Sequence, residues 1–371
     1  MHINILEDQY IWSRSPVRLD LAGGWTDTPP YTFKCGGKVV NLAVELNDEL
    51  PVQTYIRRDP KNRIKISSID LGITEEINTL AQLDNHRDPK SPFGIVRASL
   101  HFLGFNYGRY GRLRSCLAEI GGGFDITTFV SVPKGSGLGV SSILTATVLG
   151  AFHRLLGLKT TADILCNEVL AVEQMLTTGG GWQDQIGGMI GGVKYAISQP
   201  AEDQVNPVVE KLDDYLFTDP EYRRCFTLYY TGINRLAHDI LKKVVQRVNQ
   251  GDAEYLRLHQ EIGNLANEAR LAISQRNLEK LISIVAESWE ANQRIDPTVT
   301  NGDIRTLLQE TSDLYGSAKL LGAGGGGYCL FVSKDPEQGD QLRAKLKNRV
   351  YGNSRLVDWK LNTSGLRVSV S

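Results

Sequence analysis

The chain has 371 residues, of which 41% are hydrophobic and 22% charged, proportions ordinary for a globular protein with room for two domains. With 41 Lys plus Arg against 42 Asp plus Glu, no overall charge would recruit nucleic acid or an anionic membrane. The five cysteines form no CxxC pair, so we expect reduced thiols. The N-terminus does not resemble a signal peptide, and no run approaches the ~20 apolar residues of a membrane span, so we expect a cytoplasmic protein.

The first half of the chain carries strand patterns before its helix patterns. Alternating and β-branched runs predict the strands, and apolar residues at helical spacing predict the helices. The predicted elements are strands at 10–21, 39–46, 52–57, 63–68 and 124–132, and helices at 92–103, from 143 onward and from Thr161 to about Leu176, the last broken by Gly179–Gly181.

The second half is richer in amphipathic helices. Residues 198–222 are polar and rich in Pro and Asp, which predicts a connection between domains. Because strands precede helices instead of alternating with them, we predict an α+β protein with domains at 1–205 and 206–371. The elements predicted here are strands at 227–230, 328–332, 356–361 and 366–370, helices at about 235–249, 253–275, 277–292, 302–316 and 335–348, and a glycine-centred segment at 319–331.

A glycine-rich loop lies between the strand at 124–132 and the following helix. Such a strand–loop–helix unit is typical of a phosphate cradle, since glycines allow close approach and a helix N-terminus faces the anion. It is not a P-loop, because no Gly-Lys-Ser/Thr closes it. The alternative is an ordinary turn with Ser141 or Ser142 as the helix N-cap.

Two further clusters carry charged residues in apolar or glycine-rich surroundings. Arg18 lies within an apolar strand and needs an anionic partner, while Asp27 sits on a turn where its carboxylate could accept hydrogen bonds from hydroxyl groups or simply pair with the arginine. Glu173 lies among apolar helix neighbours, which a divalent cation or a buried basic partner would explain. Asp184, eleven residues later, is either a general base or a turn residue.

Residues 322–327 contain four consecutive glycines before a strand. This arrangement indicates backbone brought against a ligand or against the other domain. A dinucleotide fingerprint requires a helix after the glycines, so the order disfavours an NAD-dependent oxidoreductase.

In combination, the order and spacing of these motifs resemble the GHMP kinases. The motifs are a proline–arginine strand ending in Gly-x-x-Thr-Asp, the Pro-x-x-Ser-Gly-Leu-Gly-x-Ser-Ser loop, a Glu eleven residues before an Asp, and Gly-Ala-Gly-Gly-Gly-Gly near the C-terminus. Residues 23–30 and 181–185 are similar to the L-fucose kinase branch, the kinase half of bifunctional fucokinase/GDP-fucose pyrophosphorylases. The next most similar branch is D-glycero-D-manno-heptose 7-phosphate kinase.

This resemblance implies a two-domain fold, with an N-terminal domain like the second domain of ribosomal protein S5 and a ferredoxin-like C-terminal domain. It also implies ATP and Mg²⁺ as cofactors, a fused or partner nucleotidylyltransferase and a homo-oligomer as further expectations, and phosphorylation of the anomeric hydroxyl of L-fucose. The alternatives are a heptose 7-phosphate kinase and a non-catalytic sugar sensor. Gly24 departs from the galactokinase pattern, which has Glu there, and this argues against galactose.

Site residues follow from the same resemblance. Asp184 and Arg18 are implied as catalytic, and Ser141 and Glu173 as metal ligands. A heptose 7-phosphate would need additional cations, and the sequence does not show whether Arg235 or Lys319 supplies them. The remaining implied contacts are Trp25, Thr26, Asp27 and Trp182 for the sugar, and Pro133, Lys134, Gly135, Ser136, Gly137, Leu138, Gly139, Val140, Ser141, Ser142, Gly324 and Gly325 for ATP.

Overall fold

A computed structural model describes residues 3–88, 91–176, 180–202, 204–233, 238–349 and 351–371. Arg235 and Gly179 lie outside these ranges. Within the described residues, none of the helices combines the length and the apolar character that crossing a membrane requires.

The strands form three sheets that are antiparallel except for one parallel pair. In chain order the strands are β1 (Tyr10–Ser15), β2 (Val17–Ala22), β3 (Gly37–Leu46), β4 (Val52–Asp59), β5 (Ile64–Ser68), β6 (Ile73–Ile77), β7 (Gly123–Val130), β8 (Val193–Ser198), β9 (Val208–Lys211), β10 (Phe226–Tyr230), β11 (Ser317–Leu320), β12 (Tyr328–Val332), β13 (Arg355–Val357), β14 (Trp359–Leu361) and β15 (Arg367–Val370). The first sheet has the order β15-β1-β4-β7-β5-β6, with β5 and β7 parallel. The second contains β14-β3-β8-β9 with β2 also paired to β3, and the third has the order β11-β12-β10-β13.

Helices occupy both halves of the chain, so the α+β prediction is confirmed. They are α1 (Tyr31–Cys35), α2 (Leu80–Asp84), α3 (Gly94–Phe102), α4 (Leu113–Ile120), α5 (Val140–Leu156), α6 (Ala162–Met175), α7 (Gln183–Met189), α8 (Tyr215–Thr218), α9 (Pro220–Arg224), α10 (His238–Asn249), α11 (Ala253–Ser274), α12 (Leu278–Ile295), α13 (Gly302–Glu310) and α14 (Pro336–Lys347). As predicted, Thr161 caps α6, its hydroxyl accepting from the amide of Ile164.

The single strand predicted at 10–21 is wrong, because the chain changes sheets at Pro16. β1 pairs with β4 and β15 in the first sheet, whereas β2 pairs with β3 in the second. Proline has no amide hydrogen to donate to a ladder, so it stands at the point where one strand ends and the other begins. The alternation continues across this point, and the sequence therefore gives no sign that the partner changes.

The strand predicted at 356–361 is divided in the same way. β13 joins the third sheet and β14 the second, with Asp358 between them. The last strand, β15, pairs with β1. The chain thus returns at its C-terminal end to sheets built largely by residues 10–211. A boundary near residue 205, which stays a prediction, would therefore assign β14 and β15 to a different domain from the strands with which they pair.

Two further expectations differ from the structure. The predicted connection at 198–222 contains β9, α8 and α9, with β9 paired to β8. Helix α13 ends at Glu310 instead of residue 316. The polar connection forms elements because β9 pairs with β8, and α8 packs on α9 and β14.

Helix α5 lies at the centre of the core. Most of its side chains are buried, and it packs on β1 and β4 of the first sheet. Helix α7 lies on β2 and β3 of the second sheet, and α11 packs on the same two strands. The N-termini of α5 and α7 are thereby brought to the same region.

Candidate active site

The glycine loop leads directly into the N-terminus of α5. Gly135, Gly137 and Gly139 all have positive φ values, of 75°, 81° and 74°. The N-cap is Gly139, whose carbonyl accepts from the Ile143 amide at 3.0 Å, so the alternative with a serine cap is wrong. The first-turn amides of a helix lack partners within it, and here they follow a loop that only glycine can form easily.

The second glycine segment packs against this loop. A Cβ at Gly137 would lie 2.1 Å from the carbonyl oxygen of Leu321, and a Cβ at Gly327 would lie 2.3 Å from that of Ser136. The amide of Tyr328 donates to the Ser136 carbonyl at 3.0 Å. Of the two interpretations of the glycines at 322–327, contact with another part of the protein is therefore the one observed.

Gly324 and Gly325, implied as ATP contacts, lie against the protein backbone. A Cβ at Gly324 would lie 2.7 Å from the Val299 carbonyl oxygen, and the Gly325 amide donates to that same oxygen at 2.5 Å. Contact of these two glycines with ATP stays a prediction.

Arg18 joins the glycine loop to Asp184. Its Nε and Nη2 donate to Asp184 Oδ1 at 2.9 and 2.7 Å, and its Nη1 donates to the Gly137 carbonyl at 2.6 Å. Arg18 is buried, whereas the Asp184 side chain is 26% exposed. The anionic partner expected for Arg18 is therefore Asp184, from the first turn of α7, and the carboxylate reaches solvent beside the loop.

Glycines allow this close packing. A Cβ at Gly187 would lie 2.5 Å from Arg18 Cβ, and one at Gly139 would lie 3.0 Å from Asp184 Cβ. The charged pair thus packs against glycine backbone at positions where side chains would not fit.

Asp27 is buried against the N-terminus of α7. Its Oδ2 accepts from the Gln183 amide at 3.1 Å, and a Cβ at Gly181 would lie only 1.9 Å from the same oxygen. Burial, and then the negative charge of Asp184, raise the pKa of Asp27 to about 7.

Glu173 accepts a short hydrogen bond from the hydroxyl of Ser142, not Ser141. Ser142 and Glu173 are buried, while Ser141 is exposed. Burial raises the pKa of Glu173 to about 8; the Ser142 hydrogen bond opposes this, and the charges of Asp184 and Asp27 add to it. The sequence presents two adjacent serines in one helical turn, and nothing local distinguishes which reaches α6.

The charge of Asp184 disfavours the ionised forms of both Glu173 and Asp27, which a cation would relieve. Among the residues that the structure describes, however, no group of three or more His, Cys, Asp or Glu side chains forms a metal cluster. A magnesium ion keeps several waters and is commonly bound through one or two carboxylates together with substrate phosphates. Glu173 and a serine fit such a partial ligand set, with the nucleotide completing it.

The residues implied as sugar contacts, apart from Asp27, support the Gly23–Thr28 turn from within. Trp182 is fully buried, and its Nε1 donates to Thr32 Oγ1 at 2.9 Å. Thr26 Oγ1 accepts from the Lys38 amide at 2.9 Å, and Trp25, at φ 82°, is buried in the cluster that contains Tyr31. Direct contact of these three residues with a sugar stays a prediction. The contacts observed stabilise the turn that carries Asp27.

Lys319 is not available to a substrate phosphate in this structure. It is fully buried and forms an ion pair with Asp20 of β2. Sequence reasoning missed Asp20 altogether, because the two residues are 299 positions apart and no local pattern connects them.

Comparison with known proteins places this geometry in a family. The model of the GHMP kinases N terminal domain matches residues 108–192, and that of the GHMP kinases C terminal domain matches residues 253–352. The chain belongs to the GHMP kinase family. The matched N-terminal region contains the glycine loop, Glu173 and Asp184.

Individual relatives and a solved structure indicate which members of the family this chain resembles. The chain is 40% identical over its whole length to the L-fucokinase/L-fucose-1-P guanylyltransferase of Bacteroides fragilis, spanning 39% of that protein. It is 28% identical to the D-glycero-alpha-D-manno-heptose 7-phosphate kinase of Campylobacter jejuni, covering 92% of this chain and 94% of that one. A crystal structure of a D-glycero-D-manno-heptose 1-phosphate kinase from Bacteroides thetaiotaomicron, 21% identical, superposes with a TM-score of 0.70 over 97% of this chain and 98% of that one. The two-domain GHMP kinase fold expected from the sequence is confirmed.

Proposed function

We propose that this chain is an ATP-dependent sugar kinase that phosphorylates the anomeric hydroxyl of L-fucose. The observation that carries the proposal is the Arg18–Asp184 pair, held against the carbonyl of Gly137 in the phosphate-cradle loop. A kinase needs an acceptor-orienting carboxylate beside a polyanion-binding loop, and Asp184 and the glycine loop would serve in these two roles.

The chain's own residues divide the work of phosphoryl transfer. The loop amides and the N-terminus of α5 would hold the nucleotide phosphates. Because Arg18 occupies Oδ1 of Asp184, the other carboxylate oxygen would accept or orient the proton of the sugar hydroxyl, while the guanidinium balances charge on the transferred group. Asp27, beside the first turn of α7, would accept hydrogen bonds from other sugar hydroxyls.

Glu173 and Ser141 are the residues that would hold Mg²⁺ with the nucleotide. The fit rests on the raised pKa of the buried Glu173, which a divalent cation would reverse. When bound, the ion would neutralise charge on the β- and γ-phosphates.

Support for fucose comes from the 40% identity to the Bacteroides fragilis protein. Gly24 counts against galactose, because galactokinases have a glutamate at this position; a Cβ on Gly24 would also lie as close as 3.0 Å to Asp20 Oδ2. Since the chain spans 39% of that relative, we also propose a fused or separate guanylyltransferase as its partner.

Heptose 7-phosphate is the second candidate. It is favoured by the relative in Campylobacter jejuni, which the chain covers nearly end to end. The burial of Lys319 against Asp20 counts against it, because that lysine cannot meet a second phosphate. The Arg18–Asp184 pair in turn disfavours a non-catalytic sensor.

An ATP-consumption assay across L-fucose, D-arabinose, galactose, mannose and heptose 7-phosphate tests the substrate. We expect turnover with L-fucose, with the phosphate on the anomeric oxygen by NMR. Activity on heptose 7-phosphate alone would overturn the choice of sugar, and activity on none of these sugars would overturn the proposed kinase.

The Asp184→Asn variant tests the assignment of the base. We expect kcat to fall by several orders of magnitude while ATP affinity stays nearly unchanged, since the carboxylate acts on the acceptor. Asp163→Asn, which neutralises an exposed carboxylate on α6, is the control. Near-normal turnover of Asp184→Asn would contradict the role given to Asp184.

A further inference from the structure

A row of buried polar side chains crosses the second sheet beneath α7. Asp20 is paired with Asn41 between β2 and β3, and Asn41 with Lys194 between β3 and β8. Residues directly opposite one another in neighbouring strands project from the same face of a sheet. All three are buried. This face carries α7, whose first turn contains Asp184.

The first turn of α7 is attached to the row through Gln183. Its Nε2 donates to Asp20 Oδ1 at 2.9 Å, while Oδ2 of the same carboxylate accepts from Lys319 Nζ. Lys319 Nζ also donates to Ser288 Oγ of α12 at 3.1 Å. Burial opposes the ionisation of Asp20, but Lys319 and Arg18 hold its pKa below the ordinary value.

The last turn of α7 is held by the other end of the row. Lys194 Nζ donates to Asn41 Oδ1 at 3.0 Å and to the Gly187 carbonyl at 3.2 Å. Both ends of the helix are therefore fixed by hydrogen bonds from buried lysines, one directly and one through Asp20 and Gln183.

Lys319 also stands next to the part of the chain that supports the glycine loop. It lies in β11, two residues before Leu321, whose carbonyl oxygen packs against Gly137. One short segment of the third sheet thus contacts the loop proposed for the phosphates and, through Asp20, the helix that carries the proposed base. Burying this ion pair is costly compared with apolar packing, so stability alone does not account for it well.

We propose that Lys319 is a positioning residue, which acts through Asp20 and Gln183 to set Asp184 relative to the glycine loop. The inference rests on the proposed kinase function, but the attachment of α7 can be measured without it. A misplacement of about 1 Å at a reacting group can cost a hundredfold in rate, so loss of this attachment should appear in kcat.

Gln183→Met is the sharpest variant, because it breaks the link to α7 and leaves the Lys319–Asp20 pair intact. We expect kcat for the sugar to fall about tenfold, with the KM for ATP within twofold of wild type. Gln185→Met is the matched control: it removes another buried amide of α7, one that contacts Cys166 instead of the ion pair. We expect its kcat to stay within about twofold of wild type.

Lys319→Met and the double variant Gln183→Met/Lys319→Met test the order of action. If Lys319 acts through Gln183, the double variant should lose no more kcat than Lys319→Met alone, whereas independent effects would multiply. Should Lys319→Met fail to fold, because a lone buried carboxylate is left behind, the double replacement Asp20→Asn/Lys319→Met removes both charges and takes its place in the comparison.

Hydrogen exchange of the α7 amides gives a readout that does not depend on activity. In Gln183→Met we expect faster exchange over residues 183–189 than in wild type or Gln185→Met, with exchange in α5 unchanged. Unchanged kcat and unchanged α7 exchange in Gln183→Met would overturn the positioning role. Faster α7 exchange in a protein whose wild type phosphorylates none of the sugars would instead uphold the attachment and overturn the kinase.

Discussion

Replacing Glu173 by Gln should change how stability depends on pH. Burial raises the pKa of Glu173 from its ordinary 4.5 to about 8. A carboxyl group that holds its proton more tightly in the folded than in the unfolded chain stabilises the fold at low pH. That contribution is complete below pH 4.5 and is lost as the pH rises through about 8. Glutamine does not titrate, so Glu173→Gln should lack this dependence.

The size of the effect follows from the shift. Each pKa unit corresponds to about 1.4 kcal/mol, so titration of Glu173 between pH 5 and pH 8 should lower the free energy of unfolding by about 3–4 kcal/mol. For a chain of this length, that is roughly 4 °C in Tm. Asp27, whose pKa is raised to about 7, adds a slope of the same sign to both proteins. The difference between wild type and variant therefore reports Glu173 together with its interaction with Asp27.

The assay is urea unfolding, or thermal unfolding where it is reversible, of wild type and Glu173→Gln at pH 5, 6, 7 and 8 without metal or nucleotide. We expect the free energy of unfolding of the variant to rise steadily relative to that of wild type as the pH increases across this range. Glu290→Gln, which removes an exposed carboxyl from the middle of α12, should run parallel to wild type. Parallel profiles for wild type and Glu173→Gln would refute the reasoning that burial keeps this group protonated.

Three other substitutions test the packing of the site. Gly181→Ala should lower kcat/KM for the sugar more than tenfold, since its Cβ would lie 1.9 Å from Asp27 Oδ2; wild-type kinetics would contradict this placement of Asp27. Gly137→Ala, at φ 81° and with its Cβ 2.1 Å from the Leu321 carbonyl oxygen, should raise the KM for ATP at least tenfold, and an unchanged KM would separate the loop from the nucleotide. Trp182→Phe should lower the free energy of unfolding by about 1–3 kcal/mol, because the indole is fully buried and hydrogen-bonded. The KM for ATP should stay unchanged. A loss confined to sugar affinity would instead favour direct contact of Trp182 with the sugar.

Local patterns predicted most of the elements, but not the sheets to which they belong. Alternation through residues 10–21 correctly indicates extended chain, and only the pairing of β1 with β4 and of β2 with β3 shows that Pro16 divides it. Pairing depends on partners far along the chain, so a continuous apolar alternation is compatible with one sheet or two. The division at Asp358 has the same cause.

The candidate site was predictable to the extent that its residues carry local signals. The position of Arg18 within an apolar strand indicated an anionic partner, and Gly135, Gly137 and Gly139 indicated a loop between a strand and a helix, where the structure places them. The Lys319–Asp20 pair was missed because the two residues lie 299 positions apart, so nothing local shows that they are partners. The choice between adjacent serines was also open, because it depends on how far α5 is rotated toward α6.

That choice can be tested by comparing Ser141→Ala with Ser142→Ala. Ser142 donates to Glu173 and so opposes the rise of its pKa, whereas Ser141 is exposed at the start of α5. Ser142→Ala should therefore steepen the loss of stability between pH 5 and pH 8, because Glu173 would hold its proton still more tightly. Ser141→Ala should leave that profile unchanged and raise the Mg²⁺ concentration needed for half-maximal activity. An increased Mg²⁺ requirement in Ser142→Ala alone would transfer the proposed ligand role from Ser141 to Ser142.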